Sequence, residues 1–183
     1  MNIYDIPVSE VIARLDQSIR DRESCIYIAN NDKPYAFIPD SFADNILLES
    51  NGVTGYRMHY DAEPGSGVVI AGENDLAFLV VRKFNGDSLS SYLLGNMATL
   101  LSSRFSNVAV DDNDILIGGN KVIGSAGNII NDMAIFMFIA TFEDHTDLIS
   151  RICPPRHGKT PSYISNSILT KQELKEHLIE WLQ

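Results

Sequence analysis

Apolar residues recur along this chain with two different periods, and the alternation between them divides it into helices and strands. Val8, Val11, Ile12, Leu15 and Ile19 fall three and four apart, the spacing of one helical face, which predicts a covering helix over residues 6 to 22 with Pro7 in its first turn. The same period returns in Leu89, Tyr92, Leu93, Met97, Leu100, Leu101 and Phe105. Asp87 or Ser88 stands where a cap is needed, so this stripe predicts the longest helix, with its Met and aromatic side chains in the core. A third amphipathic run, Leu174, Leu178, Ile179 and Leu182, follows Thr170 and Glu173 at capping-box spacing and predicts a closing helix. Shorter helices are predicted from Phe42 to Leu48, ending near Gly52, and from His145 to Ile152, stopped by Pro154-Pro155.

Between these runs the pattern shortens to that of strands. Residues 25 to 29 and 35 to 38 are β-type runs on either side of Asn30-Asn31-Asp32-Lys33-Pro34, a turn-forming cluster, and are expected to pair with each other. Val53 to Met58 and Gly67 to Ala71 are further strands, with a loop over residues 59 to 66 between them. Leu76 to Val81 is continuously apolar and too short for a buried helix, which suits a central strand; Met133 to Phe142, rich in Ile and Phe, reads the same way. Clusters of strands interspersed with helices imply an α+β domain with a mixed or antiparallel sheet flanked by helices.

Length and charge narrow the classes of function. A chain of 183 residues, 45% hydrophobic, holds one domain with a real core. A net charge of -10 without any Lys/Arg-rich run argues against nucleic acid as a partner. No stretch reaches the ~18 apolar residues of a membrane span, and the N-terminus lacks signal-peptide character. Cys25 and Cys153 have no metal-ligand spacing and build no disulfide framework. Together these predict a cytoplasmic protein with no membrane partner.

Candidate chemistry lies in residues 113 to 126, Asn-Asp-Ile-Leu-Ile-Gly-Gly-Asn-Lys-Val-Ile-Gly-Ser-Ala. Ile115 and Ile117, then Val122, flank Gly118-Gly119-Asn120 as two short strands flank a tight turn, so a hairpin is predicted with Lys121 at the start of its returning strand. Asn113 and Asp114 then share a side of the sheet with that lysine. The stretch resembles the core signature of the biotin/lipoate protein ligase catalytic domain, and its Gly124-Ser125-Ala126 ending is closer to the lipoate branch. Upstream, residues 65 to 78 align without gaps on the lipoate ligase pattern Gly-Gly-Gly-Ala-Val-Phe-His-Asp-x-Gly-Asn-Leu-x-Phe, beginning at Gly65, Ser66, Gly67 and Val68. The remaining elements keep the same order, so the resemblance covers nearly the whole chain.

The resemblance implies one α+β catalytic domain over residues 1 to 183, without the C-terminal accessory domain of many ligases. It implies a ligase that activates lipoate, octanoate or a related small carboxylic acid with ATP as an acyl-adenylate and passes the acyl group to a lysine of a lipoyl-type carrier protein. The residue chemistry agrees. A Gly-rich loop at Gly65 and Gly67 lets backbone N–H groups approach a carboxylate or phosphate, and a fixed ammonium at Lys121 stabilises charge between two anions. Asp114 would hold magnesium through an oxygen, and Asn113 would bond the nucleotide or orient the loop. A lysine flanking a hairpin is ordinarily just solvated; two motifs in order assign Lys121 a site role.

The chain also departs from the pattern. Asp61-Ala62-Glu63-Pro64 stands where the pattern has arginines, its His-Asp pair falls on Ala71-Gly72, and a His common on the later apolar strand falls near Met137. His59 and Arg57 lie close to the glycine loop, where they either replace the missing arginines or, the preferred reading, sit at a strand end on the surface. The basic stretch Arg156 to Lys159 is either a loop covering the adenylate or a solvated connection. These departures motivate an alternative, a catalytically inactive relative that binds a ligand or partner through the same cleft. An ATP-independent octanoyltransferase ranks lower, because no cysteine occurs between Cys25 and Cys153.

Overall fold

A computed structural model describes residues 1–30, 32–39, 45–58, 69–152 and 159–183. The glycine-loop candidates Gly65, Ser66, Gly67 and Val68 lie outside the described residues, as do His59, Asp61 to Pro64, Cys153 and Arg156 to Gly158. The chain runs β1 (Asn2–Pro7), α1 (Val8–Asp21), β2 (Cys25–Asn30), β3 (Tyr35–Pro39), α2 (Asn45–Ser50), β4 (Thr54–Met58), β5 (Val69–Ala71), β6 (Leu76–Lys83) and α3 (Leu89–Ser102). It continues through β7 (Val108–Asp111), β8 (Asp114–Ile117), β9 (Asn120–Ile130), β10 (Met133–Ala140), α4 (Thr146–Ile152) and α5 (Lys171–Leu182). A seven-stranded mixed sheet in the order β1-β2-β6-β10-β9-β8-β7 stands beside a three-stranded sheet in the order β4-β3-β5. The α+β class with a mixed sheet is therefore present.

The continuous apolar runs are explained by layering. Alternate residues of β6 face opposite cores: Leu76, Phe78 and Val80 pack with the apolar faces of α3 and α5, while Ala77, Leu79 and Val81 pack with α1 and β3. Strand β10 divides likewise, Phe136 and Phe138 to one side and Ile135, Met137 and Ile139 to the other. A strand covered on both faces reads as unbroken hydrophobic sequence, as these two do. A smaller core joins Ala36, Ile38, Leu48, Val53, Ile70 and Ile152. Among the described residues no helix is long and apolar enough to cross a membrane.

Several expectations need correction. Residues 25–29 and 35–38 do not pair with each other: β2 joins β1 and β6, whereas β3 lies between β4 and β5 in the other sheet. The first helix begins only at Val8, because residues 2 to 7 are an edge strand parallel to β2, and Pro7 serves as N-cap. Helices α1 and α3 are equally long, 14 residues each, so neither is the longest. Tyr92 is exposed rather than part of the α3 stripe, its hydroxyl donating to the Trp181 carbonyl, and Leu94 takes a core position instead. Ser88 caps α3, and Thr170 with Glu173 forms the expected capping box on α5.

Candidate active site

The hairpin forms as its sequence dictates. Gly118 and Gly119 adopt φ values of 60° and 83°, the left-handed pair that a two-residue hairpin turn requires. Beyond the turn the register slips: Ile117 faces Asn120 and Leu116 faces Lys121, but Ile115 faces Ile123 and Asp114 faces Gly124. Val122 is the extra residue of a β-bulge. Its consequence is chemical. Consecutive Val122 and Ile123 both enter the core under α3 and α5, and Lys121 is thereby turned to the same face as Gly124 and Asp114 rather than the face opposite them.

On that face Lys121 Nζ lies 2.8 Å from Asp114 Oδ1. The lysine stem crosses directly over Gly124: a Cβ there would stand 2.7 Å from Lys121 Cε and 2.8 Å from Nζ, so the absence of a side chain at 124 is what lets the ammonium lie down against the strand. The backbone of Lys121 is fixed from the other side, its N–H donating to the Thr160 carbonyl at 2.8 Å and its carbonyl accepting from Ser162 N–H at 2.7 Å. Ser125 donates twice to the Asn113 carbonyl, from its N–H at 3.0 Å and its hydroxyl at 2.7 Å, which ties the start of β8 to β9. Ala126 lies one row further along the face, opposite Met137.

A second lysine joins this group. Lys159 Nζ lies 3.0 Å from Asp114 Oδ2, 3.0 Å from Asp111 Oδ2 and 3.2 Å from the Asp111 carbonyl. Burial works against the Lys159 charge, but the Asp111 and Asp114 carboxylates outweigh it and hold the ammonium above the usual lysine range. Side-chain exposure is 15% for both Lys159 and Asp114 against 40% for Lys121, so Lys121 presents its charge to solvent while its neighbours do not. Of the predicted site residues, Lys121, Asp114, Asn113, Gly124, Ser125 and Ala126 are thus brought together. Magnesium at Asp114 does not fit this arrangement, because both carboxylate oxygens are already taken by ammonium groups and a hard cation needs several free oxygens. No cluster of three or more metal-ligating side chains occurs among the described residues.

A further cluster lies at the turn between β5 and β6. The buried Asp75 carboxylate accepts from Gly72 N–H at 2.8 Å and Phe142 N–H at 2.7 Å. His145 Nε2 lies 2.8 Å from its Oδ2. The pair is ionic when the imidazole is protonated. The Asp75 carboxylate raises the His145 pKa from its ordinary 6.5 against the opposing effect of burial. The imidazole fills the place of a Gly72 side chain, since a Cβ there would be 2.4 Å from His145 Cε1 and Nε2.

Lys159, Asp111 and His145 carry no sequence motif, only the basic stretch ending at Lys159 pointing to one of them, and Asp75 lies within the aligned stretch 65 to 78 without being singled out there. The described cysteine, Cys25, is buried at the opposite end of the sheet, paired with Val81, its thiol raised by burial and directed at Ser18 Oγ 3.3 Å away.

Comparison with solved structures decides the fold. Lipoate-protein ligase A bound with ATP superposes with a TM-score of 0.72 over 99% of this chain and 83% of its own, at 15% identity. The bi-partite lipoate protein ligase of Thermoplasma acidophilum, solved in a study of an archaeal lipoylation system with its E2 lipoyl domain, gives 0.71 over 99% of this chain and 81% of its own, at 15% identity. The fold is that of the lipoate–protein ligases. The biotin protein ligase of Leishmania major, in complex with biotin, shares it at a TM-score of 0.57 and 12% identity, over 99% of this chain and 72% of that one. No protein-family model matches the sequence, and no curated protein does.

Proposed function

We propose that this chain is a lipoate–protein-ligase-like catalytic domain, which activates lipoate, octanoate or a related acid with ATP and transfers the acyl group to a lysine of a carrier protein. The observation that carries the reading is Lys121 laid over Gly124 and paired with Asp114, on a fold shared with ligases whose solved structures include one bound with ATP. In the first step a carboxylate oxygen of the acid attacks the α-phosphorus, the bond to the bridging oxygen breaks and pyrophosphate leaves. In the second the neutral amine of the carrier lysine attacks the acyl carbon, the acyl–phosphate bond breaks, AMP departs with the electron pair and the amine loses a proton.

The contribution of the chain is positioning and charge. Both steps gather negative charge on oxygens around the α-phosphate, where a fixed ammonium stabilises the transition state more than the separated reactants. Lys121 meets that need because its backbone is held by Thr160 and Ser162 and its side chain by Asp114, so little reorganisation is required when charge develops. In this reading the nucleotide brings its own magnesium, and none of the steps draws on a protein-bound ion.

Incubation with magnesium-ATP, lipoate or octanoate and an apo lipoyl-type carrier domain is expected to add the acyl mass to the carrier, and Lys121→Ala to abolish the shift. Absence of both adenylate and shift across several acids refutes the ligase. A second reading, a catalytically inactive relative that binds a ligand or partner through the same cleft, is favoured by Asp61-Ala62-Glu63-Pro64 in place of arginines; turnover of any acid eliminates it. Cys25 offers no support for an octanoyltransferase, being buried far from Lys121.

A further inference from the structure

Lys159 has no part in the reading above, yet it is the most enclosed cation of the site. Three oxygens surround its ammonium, Asp111 Oδ2 and Asp114 Oδ2 at 3.0 Å and the Asp111 carbonyl at 3.2 Å. Asp114 therefore divides its two oxygens between two lysines, Oδ1 to Lys121 and Oδ2 to Lys159. A carboxylate with one partner closes an ion pair that an incoming anion must break. Asp114 is shared by two ammonium groups, and the second carboxylate, Asp111, is half exposed and touches Lys159 alone.

We propose that Lys159 is a positioning residue for Lys121: by taking one oxygen of Asp114 it fixes that carboxylate in place and leaves the Lys121 ammonium under-neutralised and open to an anionic ligand. The two exposures set the direction of the sharing. Lys159 and Asp114 are both 15% exposed and Lys121 is 40% exposed, so the Lys159 contact, though longer at 3.0 Å against 2.8 Å, is the less screened of the two. Burial also makes Lys159 depend on its partners, since an enclosed ammonium without a carboxylate is costly. The same segment supplies Thr160 and Ser162, whose backbone groups bracket Lys121, so Lys159 is placed relative to Lys121 by main-chain bonds. Asp111 holds Lys159 from the exposed edge strand β7 and shares its ammonium with Asp114.

This inference rests on the reading that Lys121 meets an anion, but its test needs no ligand. Competitive acetylation of the full chain with acetic anhydride, read peptide by peptide by mass spectrometry, measures how much of each lysine is in the reactive, uncharged form. Lys159→Met leaves Asp114 to Lys121 alone, which favours the charged amine, and is expected to slow labelling of Lys121 by about threefold or more. Lys159→Arg, which keeps the charge, is expected to leave it near the wild-type rate. Asp111→Asn commits Lys159 more fully to Asp114 and is expected to speed labelling of Lys121. Asp112→Asn, the neighbouring exposed carboxylate, is the control and is expected to change nothing. Unchanged or faster labelling of Lys121 in a folded Lys159→Met protein overturns the proposal. If that variant does not fold, Asp111→Asn decides alone, and unchanged or slower labelling there overturns it. These outcomes are independent of the transfer assay, so a failed ligase and a failed role for Lys159 are told apart.

Discussion

A methyl group at position 124 would lie 2.7 Å from Lys121 Cε and 2.8 Å from Nζ, too close to be accommodated, but against the far end of a flexible side chain and not against backbone. Gly124→Ala is therefore expected to keep stability within about 1 kcal/mol of wild type in urea unfolding. Binding of a hydrolysis-resistant acyl-adenylate should meanwhile weaken by roughly tenfold, the value of one charge-assisted hydrogen bond misplaced. Gly72→Ala should act in the opposite sense. Its Cβ would meet His145 Cε1 and Nε2 at 2.4 Å and Glu143 Oε2 at 2.9 Å, pushing the imidazole off a buried carboxylate. A loss of about 1–3 kcal/mol in the same unfolding measurement is expected. At this scale the sequence was informative where a motif carried the residue, as with Lys121, Asp114 and Gly124. It marked Lys159 only as the end of a basic stretch and was silent on the partners of Lys159 and His145, which lie across the chain: Lys159 lies 45 residues from Asp114, and no local pattern encodes such a contact.

Among the elements, the turn after β5 is joined to the segment after β10 by Asp75, which accepts from Gly72, Phe142 and Glu143 and faces His145. Asp75 raises the His145 pKa above its ordinary 6.5, burial opposing. Glu143 and Asp144 favour the charged ring in the same direction, and Lys171, half-buried with its own pKa lowered by burial, donates to the Glu73 carbonyl nearby. With the folded value above the unfolded one, the stabilisation is fully present below pH 6.5 and is lost as pH rises through the folded value. Thermal melts across that window should show wild type losing its advantage over His145→Gln as pH rises, with the two curves converging above it; a constant gap would contradict the ion pair. Element types were mostly legible from periodicity. Pairing was not, because β2 and β3 are continuous buried runs with no alternation to choose a partner, and the turn-forming residues between them suggested a hairpin although they lie in separate sheets. Strand β7, four residues long and largely exposed, and edge strand β1 offered too little apolar alternation to be read. The bulge at Val122 escaped notice for a related reason: strict alternation placed Lys121 and Ile123 on one face, and only the register of β8 against β9 shows the slip.

For the molecule as a whole, the sheet between two cores is the frame that sets the distance between the site's parts. Phe138, fully buried on β10, stacks on Phe78 of β6 at 5.3 Å between ring centroids. Phe138→Ala is expected to cost about 3–5 kcal/mol in urea unfolding, while a conservative exchange such as Phe138→Leu should cost less. Fold class was legible because buried strands and amphipathic helices follow from composition and period alone, whereas the use of the fold depends on a few charges. The central claim, that Lys121 receives the anionic centre of an acyl-adenylate, is tested most directly by calorimetric titration of a hydrolysis-resistant octanoyl-adenylate analogue into wild type and Lys121→Ala. The account predicts one-site binding to wild type and a loss on the order of a hundredfold in the variant, as expected for loss of a charge-assisted contact to an anion. No binding to wild type, or equal binding to both, would contradict it.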